Sequence, residues 1–246
     1  LPQEDLILHV GDITDDLTDY RLMRLFFGAM EGQDRLASHV FVPTQGNHEA
    51  LNEGAEKFAS IFANPSNGSV TTAPYDKAVY SFDYGNAHIA VLSTEVTEAD
   101  WPVMMKWLER DMSRSRQTWK IAMLHRPPYN GNPASGNERS ARYLPPVVDA
   151  GGIDLVIGGH DHMYARTVPL RAGRRHIGGA TYLIAGSDSA KFYDNNGTGI
   201  ASLAEVLFDD NQQTFTTLAI RGNRMQILTR ALDGTVVDDT TLHAKR

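Results

Sequence analysis

The chain contains no cysteine. That removes disulfides and thiolate metal sites and leaves the redox compartment open. No run of about 18 apolar residues is present either, so the sequence offers no membrane-spanning helix. Positive charge is in short supply: 23 Lys and Arg stand against 30 Asp and Glu, a net charge of −7. Neither nucleic acid nor an anionic membrane is therefore expected as the primary partner. A phosphorylated substrate remains open, because bound divalent cations reverse the sign of the local field. No internal repeat or low-complexity linker is found, and the chain opens on Leu1, as expected of a processed or trimmed terminus, with no targeting segment to read.

What is present describes an ordinary globular chain of 246 residues, 41% hydrophobic and 22% charged. Its length supports a real core, and without a linker residues 1–246 read as one domain. Helical spacing predicts helices over Tyr20–Phe27, about Glu53–Phe62, Pro102–Arg116 and about Arg142–Ala150. Alternation with a tight Gly85-Asn86 turn predicts a hairpin over Val79–Tyr84 and His88–Ser93. The Pro- and Gly-rich stretch Arg126–Glu138 reads as a mobile wall of a site. Beyond Tyr164, short alternating segments read as a meander, residues 203–246 completing a second sheet. Asn67-Gly68-Ser69 and Asn196-Gly197-Thr198 fit the glycosylation pattern, but such triplets arise readily by chance in loops.

Four polar islands each close an apolar strand-like run: Gly11-Asp12, Gly46-Asn47-His48-Glu49, His125, and Gly159-His160-Asp161-His162. The runs before them are 6–10, 39–43, 120–124 and 155–157. In open α/β sheets ligands bind beyond the carboxyl ends of the strands. Taken singly, Asp12 is as easily a helix cap, Asn47 a turn residue and His125 a hydrogen-bonded structural histidine. His9, His39, His88, His176 and His243 stay in that structural class. Together, a carboxylate, an amide and three imidazoles at one sheet edge make a metal site. Asp12 alone offers two charged oxygens to bridge two ions. The oxygen and nitrogen donors favour Zn, Mn or Fe over Ca or Mg.

These islands resemble the successive signatures of calcineurin-like metallophosphoesterases. The continuation His162-Met163-Tyr164-Ala165-Arg166, with Tyr80–Asn86 and Leu92-Ser93-Thr94-Glu95, is similar to the purple acid phosphatase branch. The resemblance covers roughly Leu6 to Ser187. It implies an α/β fold of two mixed β-sheets packed as a sandwich flanked by helices, with two divalent or trivalent metal ions (Fe, Zn or Mn) between them. Asp12 would bridge both ions; Asn47, His125 and His160 would complete one position, and His162 would belong to the other. His48 would be the catalytic non-ligand, stabilising the transition state or protonating the leaving oxygen. The implied reaction is hydrolysis of phosphate monoesters by a metal-bound hydroxide. The implied partner is a small phosphoester, and the implied location is secreted or periplasmic.

Three departures qualify the resemblance. Asp15 stands where the purple branch carries a tyrosine, so no tyrosinate colour is expected from that position. The stretch 129–138 has no histidine, which shifts leaving-group protonation onto His48 or water. The family's first metal signature should precede Gly11 by a few dozen residues, and only ten residues stand there. The second ion site is then incomplete, and an N-terminal segment or a partner chain is expected to supply the missing strand. Phosphodiester or nucleotide-pyrophosphate hydrolysis is the nearest alternative activity. A non-catalytic metal-binding module is the alternative of another kind.

Overall fold

A computed structural model describes residues 6–31, 38–70, 74–132, 134–187, 189–193 and 199–245. Asn196-Gly197-Thr198 lies outside the described residues. Along the chain run β1 (Leu6–His9), α1 (Tyr20–Glu31), β2 (Val40–Pro43), α2 (Asn47–Ala50), α3 (Gly54–Ile61), β3 (Tyr80–Tyr84) and β4 (Ala87–Val91). Then follow α4 (Asp100–Arg114), β5 (Trp119–Met123), α5 (Glu138–Gly151), β6 (Leu155–Gly158) and β7 (Tyr164–Thr167). The chain continues through β8 (Leu170–Arg171), β9 (Arg174–Arg175), β10 (Thr181–Ala185), β11 (Ala204–Phe208), β12 (Thr214–Arg221), β13 (Arg224–Ala231) and β14 (Val236–His243).

A seven-stranded mixed sheet in the order β11-β7-β10-β6-β5-β4-β3 forms the centre. Strands β4, β5, β6 and β10 are parallel neighbours, and every residue of β4, β5 and β6 is buried. That is the signature of strands covered on both faces. One face carries α4 and α5. In α4, Trp101, Met104, Met105, Leu108 and Met112 fall at helical spacing and are buried against the sheet. α5 begins one turn before its expected start and ends at Gly151, capped by Gly152 in left-handed backbone at φ +65°.

The other face meets a layer in two pieces. β1 and β2 pair in parallel, while β12-β13-β14 forms an antiparallel meander. Both pieces share one apolar core with the large sheet: Leu6, Leu8 and Val42 from the first, Met225, Ile227 and Leu242 from the second, and Ile89, Ile121, Ile157 and Leu183 opposite them. α1 covers the outside of β1–β2 with Phe26 and Phe27, which pack on His9 and Phe41, and α3 joins it through Phe58, clustered with Met23. The result is a helix–sheet–sheet–helix sandwich. The meander starts at Thr214; β11, grouped with it from sequence, instead pairs with β7 as an edge of the large sheet.

Between β1 and β12 the sandwich holds a cavity of about 1360 Å³, lined by Leu6, Leu8, Ile121, Ile157, Leu218 and Ile220 among others. Its polar end carries Asp12, His48, His125, His160 and His162. Among the described residues, neither β1 nor β12 has a strand partner on the side facing this space.

The meander is fastened to the large sheet by buried charge. Arg166 of β7 donates Nε and Nη2 to Asp238 of β14 at 2.6 and 3.1 Å, and Nη1 to Glu205 at 2.8 Å. Tyr164 adds its hydroxyl to Asp238 at 2.6 Å. Elsewhere, Asn67 brackets the backbone of Ser81, donating to its carbonyl and accepting from its N–H. The amide of that glycosylation triplet is thus occupied in finishing β3.

Candidate metal centre

The ends of β1 and β2 in one sheet and of β5 and β6 in the other open onto the same corner of the sandwich. After β1 the chain turns through Gly11 at φ +93° and Asp12 at φ +56°. His160 and His162 also sit at positive φ, +68° and +51°. Non-glycine residues in this region are uncommon, and such strain gathers at functional sites. Three of the five expected ligands are held this way.

The first two loops interlock. Glu49, fully buried in α2, accepts the N–H groups of Asp12, Ile13 and Gly46 at 2.7, 2.7 and 2.8 Å. In return the His48 N–H donates to Asp12 Oδ1 at 3.0 Å. Burial, then the nearby Asp12 charge, raises the Glu49 pKa against these donors. Gly46 has an ordinary φ of −98°, so conformational freedom does not explain it. Space does: a Cβ there would lie 2.3 Å from Asp12 Oδ1 and 2.6 Å from Asp12 N. Gly46→Ala is expected to push the loops apart and weaken Zn or Mn binding by roughly 10–100-fold, as loss of ligand-orienting contacts does elsewhere. Calorimetric metal titration reads this, and unchanged affinity would count against the interlock.

His125 is the hub. Its Nδ1–H donates to the Val10 carbonyl at 2.7 Å, which aims Nε2 into the corner. Around Nε2 lie Asp12 Oδ2 at 3.0 Å, Asn47 Oδ1 at 3.1 Å and His160 Nδ1 at 3.0 Å. The ligating atoms of Asp12, His125 and His160 all lie within 4.8 Å of one another. Two oxygens that only accept face the same ring nitrogen, so the corner calls for positive charge, a proton or a metal ion. Burial works against charge on His125, yet the Asp12 carboxylate outweighs it and the pKa rises. For Asp12, burial is again opposed and outweighed, by His125 and the His48 N–H, which hold the carboxyl well below its usual range. His160 is pushed down to about 3 by burial and by the charges of His125 and Arg126, so it is neutral and able to ligate. The donor set fits a borderline metal.

The structure therefore brings together Asp12, Asn47, His125 and His160. His162 lines the same cavity but is not within that cluster: its Nδ1 donates to the Lys191 carbonyl at 2.5 Å, and its ring packs on Tyr193. Burial lowers its pKa. His48 stands beside the cluster as a non-member. Its Nδ1 donates to the Asp15 carbonyl at 2.7 Å, and its Nε2 lies 3.9 Å from Asp12 Oδ2.

Sequence reasoning assigned no role to Glu49, although it sits inside the island that supplies Asn47 and His48. Nor does it anticipate Arg126 behind the site, donating to Glu95 at 2.9 Å and to the Ser135 carbonyl, with Nη1 3.0 Å from His160 Nε2. The expected mobile wall is different in form. Among its described residues, those from 129 to 138 do not line the cavity, and Asp161 ties the stretch down by accepting the Gly131 N–H at 2.7 Å. Tyr129 packs edge-on against Tyr182.

Residues 1–164 match the family model of the calcineurin-like phosphoesterases. Purple acid phosphatase 18 of Arabidopsis thaliana is 31% identical over 157 residues, covering 58% of this chain and 34% of that protein. Human acid phosphatase type 7 is 28% identical over 195 residues, covering 68% and 41%. The chain thus spans well under half the length of these relatives. Among solved structures, the purple acid phosphatase PPD1 from yellow lupin seeds superposes with a TM-score of 0.76 at 21% identity, over 97% of this chain and 46% of that one. A dimetal phosphatase from Danio rerio gives a TM-score of 0.60 at 16% identity, over 98% and 84%. At those identities the structural likeness speaks for the fold, the mixed sheets flanked by helices.

Proposed function

The chain belongs to the calcineurin-like phosphoesterase family, and on that premise we propose that it hydrolyses phosphate monoesters at a two-metal centre. The observation that carries this reading is the convergence of Asp12, Asn47 and His160 on His125 Nε2 at 3.0–3.1 Å. Asp12, Asn47, His125 and His160 would hold one ion. Asp12 and His162 would contribute to the second, whose remaining ligands would be supplied by an added strand at the free edges of β1 and β12. Two strand edges facing one apolar space favour such an insertion, because unpaired edges invite another strand. Divalent or trivalent ions, when bound, supply charge that activates water and offsets charge building on the phosphoryl oxygens.

The chain's own residues do the rest. The His48 Nδ1–H bond to the Asp15 carbonyl turns Nε2 toward the centre, where the imidazolium form would protonate the departing oxygen or steady its charge. The Val10 carbonyl fixes the ring of His125. The Glu49 carboxylate keeps Asp12 and Asn47 in register. A small phosphoester enters from the polar end of the cavity.

The test pairs an aryl phosphate with a bis-aryl phosphate on protein loaded with Zn, Mn or Fe. Faster cleavage of the monoester supports the proposal; preference for the diester reassigns the substrate class, and inert protein with one ion or none makes it a binding module. His48→Ala is expected to lower turnover by roughly 10²–10⁴-fold, the usual weight of general acid–base help, with metal content by elemental analysis unchanged. Loss of metal instead would make His48 a ligand.

A further inference from the structure

Near the start of β4, at the end remote from the metal centre, His88 is buried between two carboxylates. Its Nδ1 lies 2.6 Å from Asp83 Oδ1 on β3, and its Nε2 lies 2.7 Å from Asp111 Oδ2 on α4. A neutral imidazole has one N–H and one lone pair, so it satisfies one carboxylate and repels the other. Only the imidazolium donates to both, in short charge-assisted bonds. Gln117 donates to the second oxygen of Asp83 at 2.9 Å, so that acceptor is fixed in place. The remaining charged groups around this corner are Arg114 of α4 and Arg116, which line a small cavity with His88, and Lys120 of β5, the strand partner of His88. Lys120 donates Nζ to the Gly151 carbonyl at 3.2 Å.

We propose that His88 is a proton-operated latch, which clamps β3 and α4 onto β4 while protonated and lets go when the proton leaves. Burial alone would lower its pKa, but Asp111 and Asp83 outweigh burial and the pKa rises. The sign follows. A group whose folded pKa exceeds its unfolded value stabilises fully below the unfolded value, about 6.5, and that stability is lost as pH rises through the folded pKa. The fold thereby loses stability as pH rises, through a group that has no part in the metal centre.

The experiment has two arms. Thermal midpoints of the whole protein and of His88→Gln are followed from pH 5 to 9, and the His88 ring is titrated by NMR in wild type and in Asp111→Asn. The latch predicts a His88 titration above its ordinary value, shifted downward in Asp111→Asn. It also predicts that the advantage of wild type over His88→Gln is level below about pH 6.5 and shrinks above it. Comparison with the variant cancels His125, which titrates with the same sign. A His88 titration at or below the ordinary value, or parallel midpoint curves, would overturn the proposal. Should His88→Gln not fold, the Asp111→Asn titration decides alone.

Discussion

Asp12→Asn is expected to strip both ions from the protein and to lower phosphoester hydrolysis by at least about 10²–10³-fold, the loss seen when one electrostatic contact leaves an active site. The substitution is nearly isosteric, and asparagine tolerates the left-handed φ of +56° found at this position. The interlock through Glu49 uses the Asp12 backbone N–H and survives. What is lost is charge. Asp12 contributes the carboxylate among the four converging donors, with Oδ1 held by the His48 N–H and Oδ2 facing His125 Nε2. An amide nitrogen at either point turns an acceptor into a donor aimed at the same corner. Elemental analysis, a hydrolysis assay and a thermal midpoint separate the outcomes. Retained ions with normal turnover would remove Asp12 from the centre, whereas a collapsed midpoint would make its role structural.

Asp238→Ala should act in the opposite way, destabilising the fold while leaving the metal ligands in place. Breaking one partner of a buried ion pair costs about 3–5 kcal/mol, because the other charge is left uncompensated. Here Arg166 would lose two of its hydrogen bonds and Tyr164 its acceptor, with Glu205 too exposed to replace them. For a chain of this size the midpoint should fall on the order of 10 °C. Replacing Arg166 and Asp238 together with leucine, alongside Tyr164→Phe, should recover most of that loss. Failure of the single variant to lower the midpoint would show that the meander is held by its apolar contacts alone.

How far the sequence could be read follows from what each feature depends on. The buried runs at β5 and β6 and the helical face of α4 are local patterns, and they appear where expected. So do the four polar islands, because the strand-end rule needs only order along the chain. Which sheet each strand joins is not local: alternation reads the same for β11 as for β12, yet they belong to different sheets. His160 and His162 both lie in left-handed backbone, a bend past the strand end that their spacing of two residues does not specify. Glu49 was invisible as a support because burying an acid requires N–H donors 36 and 37 residues earlier. Arg166 meets Asp238 across 72 residues, and His88 was classed as ordinary because Asp111 lies 23 residues on, in another element.

Diffraction from metal-loaded crystals, recorded on either side of the absorption edge of the added ion, interrogates the central geometry most directly. The expected result is an anomalous peak at roughly 2.0–2.3 Å from Asp12, Asn47, His125 and His160, with a second peak sharing Asp12 when the cavity between β1 and β12 is filled. A peak bound elsewhere, or none at that corner despite saturating metal, would contradict the account.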